Sequence, residues 1–182
     1  MADFAKALSF VLGNEGGFAN DPDDEGGATN YGISLRFLRG LPEDKLRAYG
    51  IHVPPDVMAV ESMTLEQATA IYKGEFWDVA PFADITQQSV ANYVFDMCVN
   101  HGPGIGIKML QRALSATIGA RDYVLDDGIL GPKTLASLTR STLYLPAALI
   151  AQRAQYYREL VALRPARAKF LNTWLTRAFR YG

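Results

Sequence analysis

Two acidic residues near the N-terminus have the types and the spacing that glycosidic bond cleavage needs. Glu15 ends an amphipathic segment, and Asp24 follows nine residues later in a loop rich in Gly, Pro, Asp and Asn. The reaction requires one carboxylic acid that protonates the leaving oxygen, and usually a second carboxylate that aligns water or attacks the sugar. Because two acids suffice, no cofactor is expected. Glu15 and Asp24 are therefore candidates for glycosidic bond cleavage, although acids in a loop of this composition are also common as turn formers and solvated charges.

The position of Glu15 is unusual for an ordinary surface acid. Apolar residues recur at helical spacing through residues 3–14, and the predicted helix stops at Gly16-Gly17. A negative charge at the C-terminal end of a helix opposes the helix dipole. This misfit favours a functional role for Glu15.

Other hydrolytic chemistries lack the residues they need. His52 and His101 are the only histidines and Cys98 is the only cysteine, so a zinc site is not expected. Cys98 and His101 lie three residues apart, but a buried Cys beside a helix-end His explains that spacing better than a nucleophilic pair. Sequence motifs of nucleotide-binding proteins and serine hydrolases are absent.

The composition is that of an ordinary globular protein whose net charge does not attract it to a polyanion. The chain has 182 residues, 49% of them hydrophobic, and a formal net charge of -1 at pH 7. Such a charge does not favour nucleic acid. Basic residues are concentrated near the C-terminus, where the pattern is compatible with either an interaction surface or a solvated helix face. We expect a monomer.

Periodicity predicts a mainly α fold with one small loop-rich or β lobe. Thr64 and Gln67 match a capping box, while Pro132 and Pro146 suit the starts of helices. Residues 42–60 are predicted to be irregular. The spacing predicts helices over 3–14, 34–41, 64–76, 87–100, 105–118, 133–139, 146–163 and 166–179.

The segment around the two acids resembles a known family. The motif E-G-G-F begins at Glu15, and N-D-P-D-D-E-G-G-A-T-N-Y-G-I covers residues 20–33. Together they are similar to the motif of glycoside hydrolase family 108, which comprises bacterial and phage N-acetylmuramidases. The resemblance implies a lysozyme-like fold with a small loop or β lobe beside the active-site cleft, and it implies that Glu15 is the catalytic acid.

The second half of the chain resembles the peptidoglycan-binding region that accompanies this catalytic motif. The similar segments are V-N-H-G-P-G at 99–104, L-Q-R-A-L at 110–114 and D-G-I-L-G-P at 127–132. The last of these also has an ordinary interpretation as a turn before a helix that begins at Pro132. We expect a muramidase region over 1–92 and a peptidoglycan-binding region over 93–182, packed into one compact unit.

The resemblance implies hydrolysis of the β-1,4 bond from N-acetylmuramic acid to N-acetylglucosamine. Glu15 would protonate the leaving oxygen and Asp24 would position water, which gives an inverting enzyme; a nucleophilic or purely electrostatic Asp24 stays open. Asp96 and Asn100 are either sugar contacts or buried polar groups satisfied by neighbours. The residues predicted to hold water or to bind sugar are Thr29, Tyr31, Asp96 and Asn100.

Two other functions are compatible with the same residues. A non-catalytic wall-binding or secretion-assisting module would keep the family shape without turnover, and a lytic transglycosylase would use the same acid without water. Since neither an export signal nor a membrane span is recognisable, we expect a phage or prophage endolysin that waits in the host cytoplasm. A membrane lesion of the holin type would then release it to the cell wall. There the basic C-terminal helices are either a surface that contacts the anionic cell envelope or a solvated helix face.

Overall fold

The structure, a computed structural model, describes residues 1–20, 27–118, 123–141 and 143–181. It is mainly α with a short antiparallel pair of strands, as the periodicity predicts. In the described part of the chain, no helix is both long and apolar enough to cross a membrane. The elements are α1 (Phe4–Leu12), β1 (Thr29–Asn30), β2 (Ile33–Ser34), α2 (Leu35–Arg39), α3 (Glu43–Ala48), α4 (Val57–Glu61), α5 (Leu65–Tyr72), a π-helix (Lys73–Trp77), a 3-10 helix (Phe82–Asp84), α6 (Gln88–His101), α7 (Pro103–Ile118), α8 (Pro132–Thr139), α9 (Leu145–Leu163), a second 3-10 helix (Pro165–Phe170) and α10 (Leu171–Ala178).

The chain divides into two compact units, residues 11–75 and residues 1–10 with 76–182. The boundary predicted between residues 92 and 93 lies within α6. The division into a catalytic and a peptidoglycan-binding region by that boundary stays a prediction.

Short helices with side-chain caps build the unit of residues 11–75. Ser34 caps α2 by accepting from the Phe37 amide, and the Thr64 and Gln67 capping box predicted for α5 is present. The prediction of irregular chain over residues 42–60 is wrong, because α3 and α4 lie there. Both are one to two turns long, and α4 depends on Asp56, whose carboxylate accepts from the Ala59 amide. Helices this short leave little periodicity to detect.

The second unit is built around α6, which is buried along most of its length. α7 approaches α6 closely at Gly106, where a β-carbon would lie 2.6 Å from the Cys98 sulfur. α9 packs on α7, and α10 packs on α9. Only glycine at position 106 allows the two helices to approach this closely.

A buried charge cluster ties α9 and α10 to α6. Asp96 on α6 has no exposed surface, and Arg153 Nη1 and Arg177 Nη2 each lie 2.7 Å from one of its carboxylate oxygens. The Arg153 Nε also donates to the Tyr157 hydroxyl at 3.1 Å. Burial alone would raise the pKa of Asp96, but the two guanidinium groups outweigh it and hold the pKa below its usual range. Asp96 is therefore the ionised centre of the cluster.

We expect Asp96→Ala to destabilise the protein strongly. The substitution leaves Arg153 buried without its counter-charge, and removal of one partner from a buried pair costs about 3–5 kcal/mol. Asp126→Ala is the matched control, because Asp126 pairs with Arg112 at the surface, where ion pairs contribute about 0–1 kcal/mol. Urea unfolding at neutral pH measures both changes. Equal losses in the two variants would contradict the structural role given to Asp96.

Candidate active site

Glu15 lies just beyond the end of α1. The helix ends at Leu12, and the Glu15 amide donates to the Leu12 carbonyl at 3.2 Å, which continues the chain in a turn. The side chain is half-buried and borders a pocket of about 330 Å³. We call this the Glu15 pocket; its other lining residues are Leu12, Gly16, Gly17, Tyr31 and Leu65.

A tight hairpin supplies one wall of the Glu15 pocket. β1 and β2 pair with Asn30 opposite Ile33, so the turn consists of Tyr31 and Gly32. Both turn residues have positive φ, 51° and 78°, as the type I′ turn of a two-residue hairpin requires. Tyrosine rarely adopts this conformation. The Tyr72 hydroxyl donates to the Tyr31 carbonyl at 2.7 Å and thereby stabilises it.

Gly32 packs directly against the candidate acid. A β-carbon at this position would lie 2.7 Å from Glu15 Cδ and 2.7 Å from the Tyr72 hydroxyl oxygen. No side chain fits there without moving one of them. The glycine of the N-Y-G-I segment is thus required twice, for its positive φ and for its contact with Glu15.

Thr29 connects the hairpin to the loop that follows Glu15. Its backbone pairs with Ala19 through two hydrogen bonds of 2.8 Å, and its hydroxyl donates to the Gly27 carbonyl at 3.2 Å. The neighbouring Asn30 is buried, and its amide donates to the Val60 and Glu61 carbonyls of α4. Thr29 therefore has a fixed position in the same unit as Glu15.

The predicted site residues fall into three groups. Glu15, Thr29 and Tyr31 all belong to the unit of residues 11–75, and Glu15 and Tyr31 line one pocket. Asp24 lies outside the described residues. Its predicted role as the second acid stays a prediction.

Asp96 and Asn100 belong to the other unit. Both oxygens of Asp96 contact guanidinium groups and no part of the residue is exposed, so the structure does not place it where a glycan could reach it. Asn100 is exposed, and with its amide oriented to satisfy Arg177 its oxygen accepts at 2.8 Å. The alternative of polar groups satisfied by neighbours describes Asp96 better than a sugar contact does.

Four residues that hold the site together were not predicted from the sequence. Gly32, Asn30, Tyr72 and Leu65 were not singled out, although each supports or borders the Glu15 pocket. The Tyr31-Gly32 pair was a detectable signal for a two-residue hairpin turn, because glycine is common at turn positions that require positive φ. Tyr72 gave no signal, because its partner lies 41 residues away in the chain.

The model of the family described as Glycosyl hydrolase 108 matches residues 8–102, more than half of the chain. The chain belongs to the glycosyl hydrolase 108 family. A second model, described as Predicted Peptidoglycan domain, matches residues 105–179. This glycosyl hydrolase 108 protein is accordingly a glycoside hydrolase that acts on peptidoglycan.

A solved structure resembles the whole chain. The structure of Brucella abortus SagA is 26% identical, with a TM-score of 0.67, and the match covers 98% of this chain and 94% of that chain. No curated protein matches the chain. The predicted mainly α, lysozyme-like fold is confirmed.

The D-G-I-L-G-P segment of this glycosyl hydrolase 108 protein forms a turn docked on α7. Buried Gln111 accepts from the Gly128 amide at 2.9 Å and donates to Asp127 Oδ1 at 2.7 Å. Gly128 has a φ of 80°, and a β-carbon there would lie 2.9 Å from the Gly104 carbonyl oxygen. Pro132 then begins α8. The ordinary interpretation of this motif, a turn that leads into a helix, is what the structure shows.

The geometry does not support Cys98 as a catalytic nucleophile. Cys98 is completely buried and its sulfur packs on Gly106. Burial raises the pKa of the Cys98 thiol far above neutrality. A thiolate nucleophile is therefore not available at this position.

The basic residues of the C-terminal helices differ in their exposure. Arg177 is mostly buried and pairs with Asp96, whereas Arg158 and Arg164 are exposed. Envelope binding through this region stays a prediction, and Arg177 has a structural role in the buried cluster.

We expect Gly32→Ala to reduce peptidoglycan cleavage at least tenfold, because the new methyl group displaces Glu15 or Tyr72. Gly27→Ala is the matched control. It also forces alanine into positive φ, 70°, but its β-carbon would meet only Leu35 Cβ at 3.8 Å. Turbidity loss of purified cell walls measures activity, and thermal unfolding separates it from stability. Equal activity in the two variants would show that the Gly32 contact does not position the acid.

Proposed function

We propose that this protein is an N-acetylmuramidase that hydrolyses the β-1,4 bond from N-acetylmuramic acid to N-acetylglucosamine, with Glu15 as the general acid. The observation that carries the proposal is the half-buried Glu15 side chain, held against the Gly32 backbone at the edge of a pocket. A carboxyl group fixed in this way is oriented before substrate binds, as general acid catalysis requires.

Gly16 and Gly17 leave space beside the acid. Both line the Glu15 pocket, and a β-carbon at either position would meet nothing within 4 Å. Neither has a positive φ, so their backbone conformation does not require glycine. The E-G-G sequence therefore supports approach of a bulky sugar to Glu15, and Tyr31 borders the same space.

The proposed reaction needs a single displacement. Glu15 gives its proton to the glycosidic oxygen as the bond to the anomeric carbon breaks, and water attacks that carbon from the opposite face. Asp24 is our choice for the carboxylate that accepts the proton of water. Thr29 is proposed to hold this water, because its hydroxyl proton is directed to the Gly27 carbonyl and its oxygen can still accept.

We expect Glu15→Gln to lower peptidoglycan cleavage by roughly 10²–10⁴-fold, because an amide keeps the shape but has no acidic proton to donate. Glu61→Gln, an exposed acid of the same unit, is the matched control and keeps its activity. Soluble sugar released from purified peptidoglycan measures turnover, and sedimentation with the insoluble polymer measures binding. Turnover of Glu15→Gln at the rate of the unsubstituted protein would refute the assignment.

Asp24→Asn is expected to lose less activity in the same assay. Water retains contacts such as the Thr29 hydroxyl when the carboxylate becomes an amide. A larger loss than for Glu15→Gln would reverse the proposed ranking of the two acids.

A further inference from the structure

The unit of residues 1–10 with 76–182 contains a pocket of about 410 Å³ that the proposed reaction does not use. Residues of α6, α9, the second 3-10 helix and α10 line it. We call it the Trp174 pocket. Its main lining residues are His101, Tyr156, Tyr157, Arg167, Phe170 and Trp174.

A row of stacked rings forms one side of the Trp174 pocket. Trp174 lies between Tyr157 and Phe170, with ring centroids 5.3 and 5.8 Å apart and interplanar angles of 26° and 25°. Phe170 remains 45% exposed, which is high for a large apolar side chain. Tyr157 is only 1% exposed and Trp174 has a ring on each face, so the row presents ring edges and part of Phe170 to the pocket as an apolar wall. An apolar wall with a few polar groups beside it is typical of sites for small ligands such as sugars.

An unsatisfied polar atom lies at the opposite end of the row. His101 packs edge-on against Tyr157, with the two ring centroids 5.2 Å apart. Its buried Nε2 has no hydrogen-bond partner among the described residues. Burial and the charges of Arg153 and Arg177 lower the pKa of His101 to about 3, so the imidazole is neutral. The Trp174 pocket is therefore lined by a residue with a polar atom that the described part of the fold leaves unsatisfied.

The charge of the Trp174 pocket selects among ligands. Arg167 is half-buried at the pocket and forms no ion pair within the described residues. The residues described as lining this pocket include no acid. The pocket therefore lacks the groups for glycoside hydrolysis, and its single cationic group favours an anion.

We propose that the Trp174 pocket is a non-catalytic binding site for an N-acetylated sugar that carries a carboxylate, such as the muramyl units of peptidoglycan. The aromatic wall packs against the apolar part of the sugar, Asn100 takes a hydroxyl or amide group, and Arg167 takes the carboxylate. The pocket lies largely in the segment matched by the peptidoglycan model, residues 105–179. Nothing in this proposal depends on Glu15 being the catalytic acid.

The test is a titration of the full chain with three sugars. The first sugar is the disaccharide in which N-acetylglucosamine is linked to N-acetylmuramic acid at the reducing end, and it carries a free lactyl carboxylate. Its tetrapeptide derivative carries peptide carboxylates instead. The third sugar, di-N-acetylchitobiose, is neutral. None contains the bond that the enzyme is proposed to cleave. The chain has two tryptophans and Trp77 is only 5% exposed within an aromatic cluster, so a fluorescence change on binding reports Trp174.

We expect at least one carboxylate sugar to bind about tenfold more tightly than chitobiose, and the one that binds identifies the source of the anion. Arg167→Gln should weaken that binding about tenfold. Arg158→Gln, which removes an exposed arginine outside the pocket, should leave it unchanged, as should Glu15→Gln. Unfolding temperatures confirm that the variants fold.

Three results would overturn the proposal. They are no binding of either carboxylate sugar, equal binding by Arg167→Gln and the unsubstituted chain, and equal weakening by Arg167→Gln and Arg158→Gln, which would indicate only diffuse attraction to a basic surface. Loss of binding on Glu15→Gln would instead place the sugar in the Glu15 pocket.

Discussion

The contact between Gly32 and Glu15 is the constraint on which the candidate active site depends. A side chain at position 32 would overlap either the acid or the Tyr72 hydroxyl, and the turn also needs positive φ at this residue. The short hairpin therefore serves to hold Gly32 against the Glu15 side chain. Tyr72 and Asn30 fix the hairpin to α5 and α4, so the orientation of one carboxyl group depends on residues from four elements.

The unit of residues 1–10 with 76–182 depends on a different interaction, a buried cluster of charged side chains. Three charged groups are buried together there, and such clusters stabilise a fold only when each member is paired. The pairing fixes α9 and α10 against α6, which in turn positions Tyr157 and Trp174 beside His101. Burial, together with the same guanidinium charges, lowers the pKa of His101 and keeps it neutral. The proposed sugar pocket is thus a consequence of the charge cluster that holds its walls.

Sequence reasoning was most successful where signals are local. The capping box at Thr64, the helix starts at Pro132 and Pro146, and the turn after α7 all depend on residues close together in the chain. It missed α3 and α4, which are too short for periodicity. It left Asp96 open between a sugar contact and a buried polar group, since a polar residue on an apolar helix looks the same whether it meets a ligand or, as here, arginines 57 and 81 residues further along the chain. Contacts over such distances cannot be read from spacing.

The central claim is that Glu15 protonates a muramyl glycosidic oxygen and that water completes the reaction. Mass spectrometry of soluble products from purified peptidoglycan, digested in ¹⁸O-labelled water, tests it most directly. The account predicts disaccharide-peptides that end in reducing N-acetylmuramic acid with one ¹⁸O atom at the anomeric position. Products that end in 1,6-anhydro-muramic acid without label, or in reducing N-acetylglucosamine, would contradict it.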